Sequence, residues 1–296
     1  MTAKSKAEAA LAATTVIWGG TFAAVKLGME DISPIALVAV RFAAATIVLL
    51  AFLHKKIFPI PLAAVQKGSL LGLFLFLGFV TQNIGLTVTT ASKSAFITGM
   101  MVLFVPMLQF VIERRAPKLG NLLGVAVVSA GLWFLTSPVG SAFNVGDALT
   151  LVCAVLFAIY IVYLDVISKE MTTHQLLFLQ ISSMAIYSIL GVLFFETPRL
   201  VFRTQSVLVL LSLTLLATVW TIWVQTRVQT DTTPTRAVVI FSVEPVIASG
   251  VAYLLLGETL GALGLLGGAL IIAGVLISEL SDGIPLLNRA VDGSES

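Results

Sequence analysis

From Thr232 to Glu258 the chain reads TTPTRAVVIFSVEPVIASGVAYLLLGE, an apolar run of membrane-spanning length broken by one charge and one proline side by side, Glu244-Pro245. An unpaired carboxylate in hydrocarbon costs at least about 2.5 kcal/mol, so this one has to face protein or a water-filled cavity. Pro245 removes a backbone donor and can kink a helix. Similar runs recur along the chain. They are too long and too continuous for barrel strands, which alternate over roughly ten residues. The chain therefore reads as an all-α membrane protein.

Composition sets how many helices there are. The 296 residues are 58% hydrophobic and 11% charged, with mean hydropathy +1.05, whereas a soluble domain is about half apolar and a quarter charged. Ten spans of about 20 residues would take roughly 200 residues, leaving short loops and no room for a soluble catalytic domain. The single cysteine, Cys153, sits inside an apolar run, so an intramolecular disulfide is impossible. The first run begins near Ala9 after a short Lys4/Lys6 tail, lacks a cleavage site and continues as a full span, so it reads as a first helix and not a signal peptide.

The expected helices cover residues 10–29, 33–53, 68–88, 92–112, 118–136, 147–167, 174–195, 205–226, 234–256 and 260–279, with a cap at Ser33-Pro34, a loop from Ser137 to Gly146 and a polar tail from Ser281 to Ser296. With the N-terminus inside, twelve basic residues (Lys4, Lys6, Lys55, Lys56, Lys67, Arg114, Arg115, Lys118, Lys169, Arg227, Arg236, Arg289) fall on the inner side. Four fall on the outer side (Lys26, Lys93, Arg199, Arg203), and Arg41 lies within helix 2. That bias places both termini in the cytoplasm.

An internal repeat organises the chain. Residue n aligns with n+139 in the first two helices, so Trp18 meets Phe157, Ser33-Pro34 meets Thr172-Thr173, and Arg41 meets Gln180. A shift of 143 serves helices 3 to 5, so Gln82 meets Gln225, Lys93 meets Arg236, Gly124 meets Gly267, and Gly131 meets Gly274. Each half has five spans. An odd number turns the second copy upside down, the arrangement of many secondary transporters, whose site lies between the halves near the midplane.

The segment TRAVVIFSVEPVIASGVAYLLLGETLGALGLLGGALIIAGVLI resembles the closing helix pair of the EamA family, in the drug/metabolite transporter superfamily. WGGTFAAVKLGMEDISPIALVAVRF resembles its opening pair, ASKSAFITGMMVLFVP its fourth helix, and GDALTLVCAVLFAIYIVYLDVISK its sixth. The likeness covers about residues 10 to 280. It implies ten helices as two inverted five-helix repeats, 1–138 and 139–280, with a polar cytoplasmic tail at 281–296. It further implies a cavity lined mainly by helices 1–4 and 6–9, with helices 5 and 10 packed outside, and export of small metabolites such as amino acids from the bacterial inner membrane. Exporters of that kind line the cavity with aromatic residues. Only some expected wall positions are aromatic here, and helix 3 shows Gln82-Asn83, which does not favour an aromatic amino acid as cargo.

Several residues carry both a functional and a structural reading. Glu244 is a candidate for proton coupling or solute contact, or else a structural acid. Arg41 offers a planar fork to a carboxylate, or is held by carbonyls or Glu244. Lys93 and Arg236 start helices 4 and 9 on opposite sides and read as gate charges or interfacial anchors. Polar stripes run along helix 8 (Thr214, Thr218, Thr221, Gln225) and helix 7 (Gln180, Ser183, Tyr187), facing a cavity or gluing helices. Helices 3 and 4 add Gln82, Asn83, Ser94, Thr98 and Gln109. Trp18, Tyr160, Tyr163, Trp220 and Trp223 can stack on a solute, pack or anchor at the interface. Trp18 is favoured, because Gly19 and Gly20 beside it leave room for a ligand. Trp133 is expected to be lipid-facing or packed, and the GxxxG spacings at 120/124 and 264/268 point to close helix packing.

No P-loop pattern is present, so ATP drive is not expected. His54 and His174 belong to no metal-ligand pattern, no GxSxG context supports a nucleophile, and the basic residues follow topology and form no nucleic-acid stripe. The expectation is therefore a carrier without cofactor or metal, complete as a monomer, with a small solute and the bilayer as partners. The alternatives are a transporter of nucleotide sugars, sugar phosphates or lipid-linked precursors, and a non-transporting membrane partner protein.

Overall fold

A computed structural model describes residues 3–114, 117–136, 143–259, 261–281, 284 and 287. Arg115, Arg289, most of the Ser137–Gly146 loop and most of the 281–296 tail lie outside the described residues.

Ten helical spans follow one another. They are α1 (Ala3–Gly28), α2 (Pro34–Ile57), α3 (Leu62–Leu86), α4 in two segments (Ala91–Gly99 and Met101–Glu113), α5 (Leu119–Thr136), α6 (Val145–Ser168) and α7 (Thr173–Phe195). Next come α8 (Thr204–Thr214, a π turn Leu215–Trp220, Thr221–Val228 and a 3-10 turn Gln229–Asp231), α9 (Pro234–Phe241 and Glu244–Leu256) and α10 (Ala262–Leu280). Eight of the spans are long and apolar enough to cross a membrane. The apolar parts of α5 and α10, Leu119–Phe134 and Ala262–Ser278, are shorter. The chain is an all-α, multi-pass membrane protein built as two inverted five-helix repeats.

The helices start where local chemistry satisfies their free N–H groups. Thr90 and its repeat mate Thr233 each accept a bond from the backbone N–H three residues on, at Lys93 and Arg236. Asn144 and Asp147 form a reciprocal capping box on α6. The start of α2 differs from the sequence expectation. Ser33 does not cap its own helix, and its hydroxyl donates to Glu196 at 2.7 Å. Glu196, at the end of α7, accepts from the N–H groups of Ile35 and Ala36 instead. Glu258, beyond α9, likewise accepts from Ala91 and Ser92 at the start of α4. A carboxylate brought from the other repeat suits the positive end of a helix.

Three spans expected to be continuous are not. In α4 the break falls at Met100, and in α9 at Ser242–Val243. These positions are repeat mates at a shift of 143, and the breaks lie side by side: a Cβ at Gly99 would stand 3.0 Å from the Pro245 ring. Pro245 does not kink a continuous helix. It sits in the first turn of the second α9 segment, where a missing N–H costs nothing. In α8 the π turn adds a residue to one turn, a distortion found often at functional sites.

Contacts of α5 with α10 display the two-fold relation of the halves. A Cβ at Gly124 would lie 2.8 Å from the Gly274 carbonyl oxygen, and one at Gly131 would lie 2.7 Å from that of Gly267. Since 124 pairs with 267 and 131 with 274 in the repeat, the two contacts are one contact seen twice. Gly120 and Gly124 thus pack within the fold, against Ser281, Gly274 and Ser278. Trp133, on the far side of α5, is 70% exposed.

Candidate functional site

A cavity lies between the repeats, with about 610 Å³ of empty space when its opening to solvent is counted. Its wall comes from α1, α2, α3, α4, α6, α8 and α9, and among the described residues α7 contributes none.

The lining is almost wholly made of repeat mates. At a shift of 139 stand Trp18 with Phe157, Thr21 with Tyr160, and Phe22 with Ile161. At a shift of 143 stand Phe79 with Ile222, Gln82 with Gln225, Thr98 with Phe241, and Met101 with Glu244. Only Arg41 and Leu75 line it without their mates, Gln180 and Thr218. The cavity therefore lies on the pseudo-two-fold axis. The position is shared by both halves, and apart from the two glutamines the side chains are not. In particular, neither charge in the wall, Arg41 or Glu244, has a charged mate.

Glu244 is the first residue of the second α9 segment, beside the break. Among the described residues, no hydrogen bond or ion pair engages its carboxylate. Gly19 brings α1 close to this point, since a Cβ there would come 2.7 Å from Ile247 and 3.1 Å from the Glu244 carbonyl. The sequence expectation that Gly19 makes room for a ligand is thus corrected: the space is taken by α9. Around Gly20 there is open space.

Arg41 is fully enclosed and held by α8. Its Nε donates to Thr218 Oγ1 at 2.5 Å and its Nη2 to the Ala217 carbonyl at 2.8 Å. The π turn presents that carbonyl sideways, and Trp18 Nε1 reaches it too, at 3.3 Å. The guanidinium carbon lies 5.0 Å from the Phe79 ring centre and 5.2 Å from that of Phe42, a cation–π arrangement. Carbonyl and hydroxyl, not Glu244, hold this cation.

The other expected wall residues divide. Gln82 donates to Thr98 at 3.1 Å, both on the wall, and Gln225 and Tyr160 line it as well. Five do not line it: Asn83, Gln180, Thr218, Thr221 and Trp223. Asn83 donates to the Pro34 carbonyl, tying α3 to α2. Gln180 stands behind Tyr160, accepting from its hydroxyl at 2.8 Å and donating to Thr226. Thr218 serves Arg41. Thr221, the first residue after the π turn, is buried off the wall, while Gln225 one turn on reaches it. Trp223 is 38% exposed on the outside of α8, as is Trp220, and Tyr163 stacks edge-on with Phe74. The α7 stripe glues helices: Ser183 meets Ser69, and Tyr187 packs on Phe76.

Phe79, Phe157 and Phe241 were not singled out in the sequence, since phenylalanine in an apolar helix carries no mark of the side it faces. They make the wall aromatic. Trp18 meets Phe241 edge-on at 5.3 Å, and Phe79 meets Phe157 at 5.3 Å. The repeat already set Phe157 opposite Trp18, and extending the arithmetic from Thr98 would have found Phe241. Of the expected gate charges, Lys93 lies 2.6 Å from Asp147, and Arg236 pairs with Glu8.

A two-fold bundle of broken helices around a polar and aromatic cavity in the membrane defines a transporter architecture. The chain belongs to the EamA-like transporter family, whose profile matches twice, over residues 5–137 and 144–280. It is 33% identical over 276 residues to an uncharacterized transporter of Archaeoglobus fulgidus, covering 93% of this chain and 86% of that protein. It is 32% identical over 136 residues to the uncharacterized inner membrane transporter YedA of Escherichia coli K12, covering 43% of this chain and 42% of YedA. One solved crystal structure, 16% identical, matches with TM-score 0.76 over 93% of this chain and 97% of its own, a likeness of fold alone.

Proposed function

We propose that this transporter is a secondary exporter of small metabolites, with amino acids and related compounds the leading class, working by alternating access in a bacterial inner membrane with both termini cytoplasmic. The observation that carries this reading is the cavity on the two-fold axis, with its two unmatched charges. A site on that axis can face either side as the two halves rock, without changing its own lining. One acid and one cation in a wall of apolar, aromatic and uncharged polar residues suit a solute with both charges and an apolar body. The aromatic wall admits larger side chains than the sequence favoured. Phosphorylated solutes fit less well, because Arg41 is the wall's one cation among the described residues and α8 already engages two of its nitrogens.

Glu244 is the proposed coupling acid, because it faces the cavity with no partner among the described residues. It can exchange a proton with water or meet a solute amine.

The test is thermal stabilisation of the purified protein by a library of amino acids and metabolites, followed by flux of the hit in vesicles. A ligand bound at 100 times its Kd adds about 2.7 kcal/mol to folded-state stability. A hit among amino acids with matching flux is expected. Hits confined to sugar phosphates or lipid-like compounds would overturn the substrate class. A stable protein with hits but no flux would overturn transport of those solutes. Glu244→Gln is expected to keep the fold and abolish the response of flux to an imposed proton gradient. An unchanged response would remove Glu244 from coupling.

A further inference from the structure

Two ion pairs at opposite faces of the bundle are the same contact seen twice. Lys93, in the first turn of α4, lies 2.6 Å from Asp147 in the first turn of α6. Arg236, in the first turn of α9, pairs with Glu8 of α1. The repeat shift of 143 carries Lys93 onto Arg236, and the shift of 139 carries Glu8 onto Asp147. Both pairs therefore cross between repeats, and the two-fold axis exchanges them. No side chain of the four is more than 19% exposed, so these contacts are less screened than surface ion pairs.

Each cation sits on a short helical segment with a break at its other end. Lys93 is on Ala91–Gly99, which ends at the Met100 break. Arg236 is on Pro234–Phe241, which ends at the Ser242–Val243 break. Each segment also supplies a cavity wall residue just before the break, Thr98 in one and Phe241 in the other. Each segment is fastened at its outer end, where Glu258 also holds the N–H groups of Ala91 and Ser92 in α4, and broken at its inner end, so opening the ion pair frees it to swing more easily.

We infer that Lys93–Asp147 and Arg236–Glu8 are matched latches, each holding shut one half-helix gate of the cavity, and that transport opens them one at a time. The inference rests on the alternating-access reading above. It adds Asp147 and Glu8 as positioning residues and gives the gates their geometry. Asp147 also accepts from Thr89 and from the Asn144 N–H, so the latch opposite the termini is anchored on a preorganised carboxylate.

The protein's own Cys153 is buried. Because Cys153 also contacts Thr98, it is replaced by alanine, and in that Cys153→Ala background one added thiol, Thr98→Cys, reports cavity exposure in the full chain reconstituted in vesicles, with a membrane-impermeant maleimide applied from one face at a time. In this background, Lys93→Gln is expected to raise the labelling rate about tenfold from the face opposite the termini and to lower it from the terminal face, as a shift between two states requires. Arg236→Gln should do the reverse. Lys93→Arg keeps the charge and should keep the parent rates. Size-exclusion profiles check folding, and Asp147→Asn and Glu8→Gln replace any cation variant that fails it. Unchanged rates, or faster labelling from the wrong face, would overturn the latches and leave alternating access untouched. Faster labelling from both faces in a single variant would mean a continuous path and would overturn alternating access itself.

Discussion

Arg41 shows how a buried charge is kept in an apolar bundle. Its cost is met by two hydrogen bonds from α8 and by two aromatic rings, and the whole arrangement depends on the Ala217 carbonyl and the Thr218 hydroxyl at the π turn. Thr218→Val should leave the Nε donor buried without a partner and cost about 1–3 kcal/mol, read as a lower unfolding temperature in detergent. Arg41→Lys should keep the charge and still lose function, because an ammonium lacks the planar fork that spans both acceptors. Flux near the parent value in Arg41→Lys would show that charge alone suffices. Both charges in the wall were visible in the sequence, since charge inside a span is costly and hence rare. Their surroundings were not. Whether Arg41 met Glu244 or α8 turned on a π turn that no residue pattern announces, and the phenylalanines of the wall look like those facing lipid.

At the scale of the helix, small residues decide which spans touch closely. α5 and α10 meet at glycines so near that a methyl group at Gly131 would stand 2.7 Å from both the Gly267 carbonyl oxygen and the Ile271 nitrogen. Gly131→Ala must therefore push two backbones apart, at a cost of about 1–3 kcal/mol, while solute affinity stays at the parent value because neither helix lines the cavity among the described residues. Gly250→Ala is the control. Nothing lies within 4 Å of a Cβ there, and removing a helical glycine should be neutral or add up to about 1 kcal/mol. Thermal unfolding of the pair separates packing from propensity, and equal shifts would contradict the close approach. Of the caps only Ser33 was named from the sequence, whereas the side-chain caps are Thr90, Asn144, Thr172 and Thr233. The ten spans and their order follow from hydropathy. The breaks in α4 and α9 and the long-range caps by Glu196 and Glu258 do not. They depend on groups more than 140 residues apart, which only the folded bundle brings together.

For the whole molecule, symmetry and asymmetry divide the work. The two-fold relation places the cavity between the halves and puts the helix breaks and the ion pairs at matching positions in each. Charge outside the membrane then breaks the tie. The sequence expectation puts twelve basic residues on the face that carries the N-terminus and four on the other, and translocation retains the more basic loops in the cytoplasm. The proposed orientation, with both ends of the chain cytoplasmic, rests on this argument, and in it the proposed Arg236–Glu8 latch would serve the cytoplasmic side and Lys93–Asp147 the far side. A C-terminal fusion to a phosphatase active only outside the cytoplasm should be silent, and a fusion to a fluorescent protein that matures only inside should be bright. Because the fold is nearly two-fold, the opposite result would leave every helix and the cavity as described. It would exchange the faces the two latches serve.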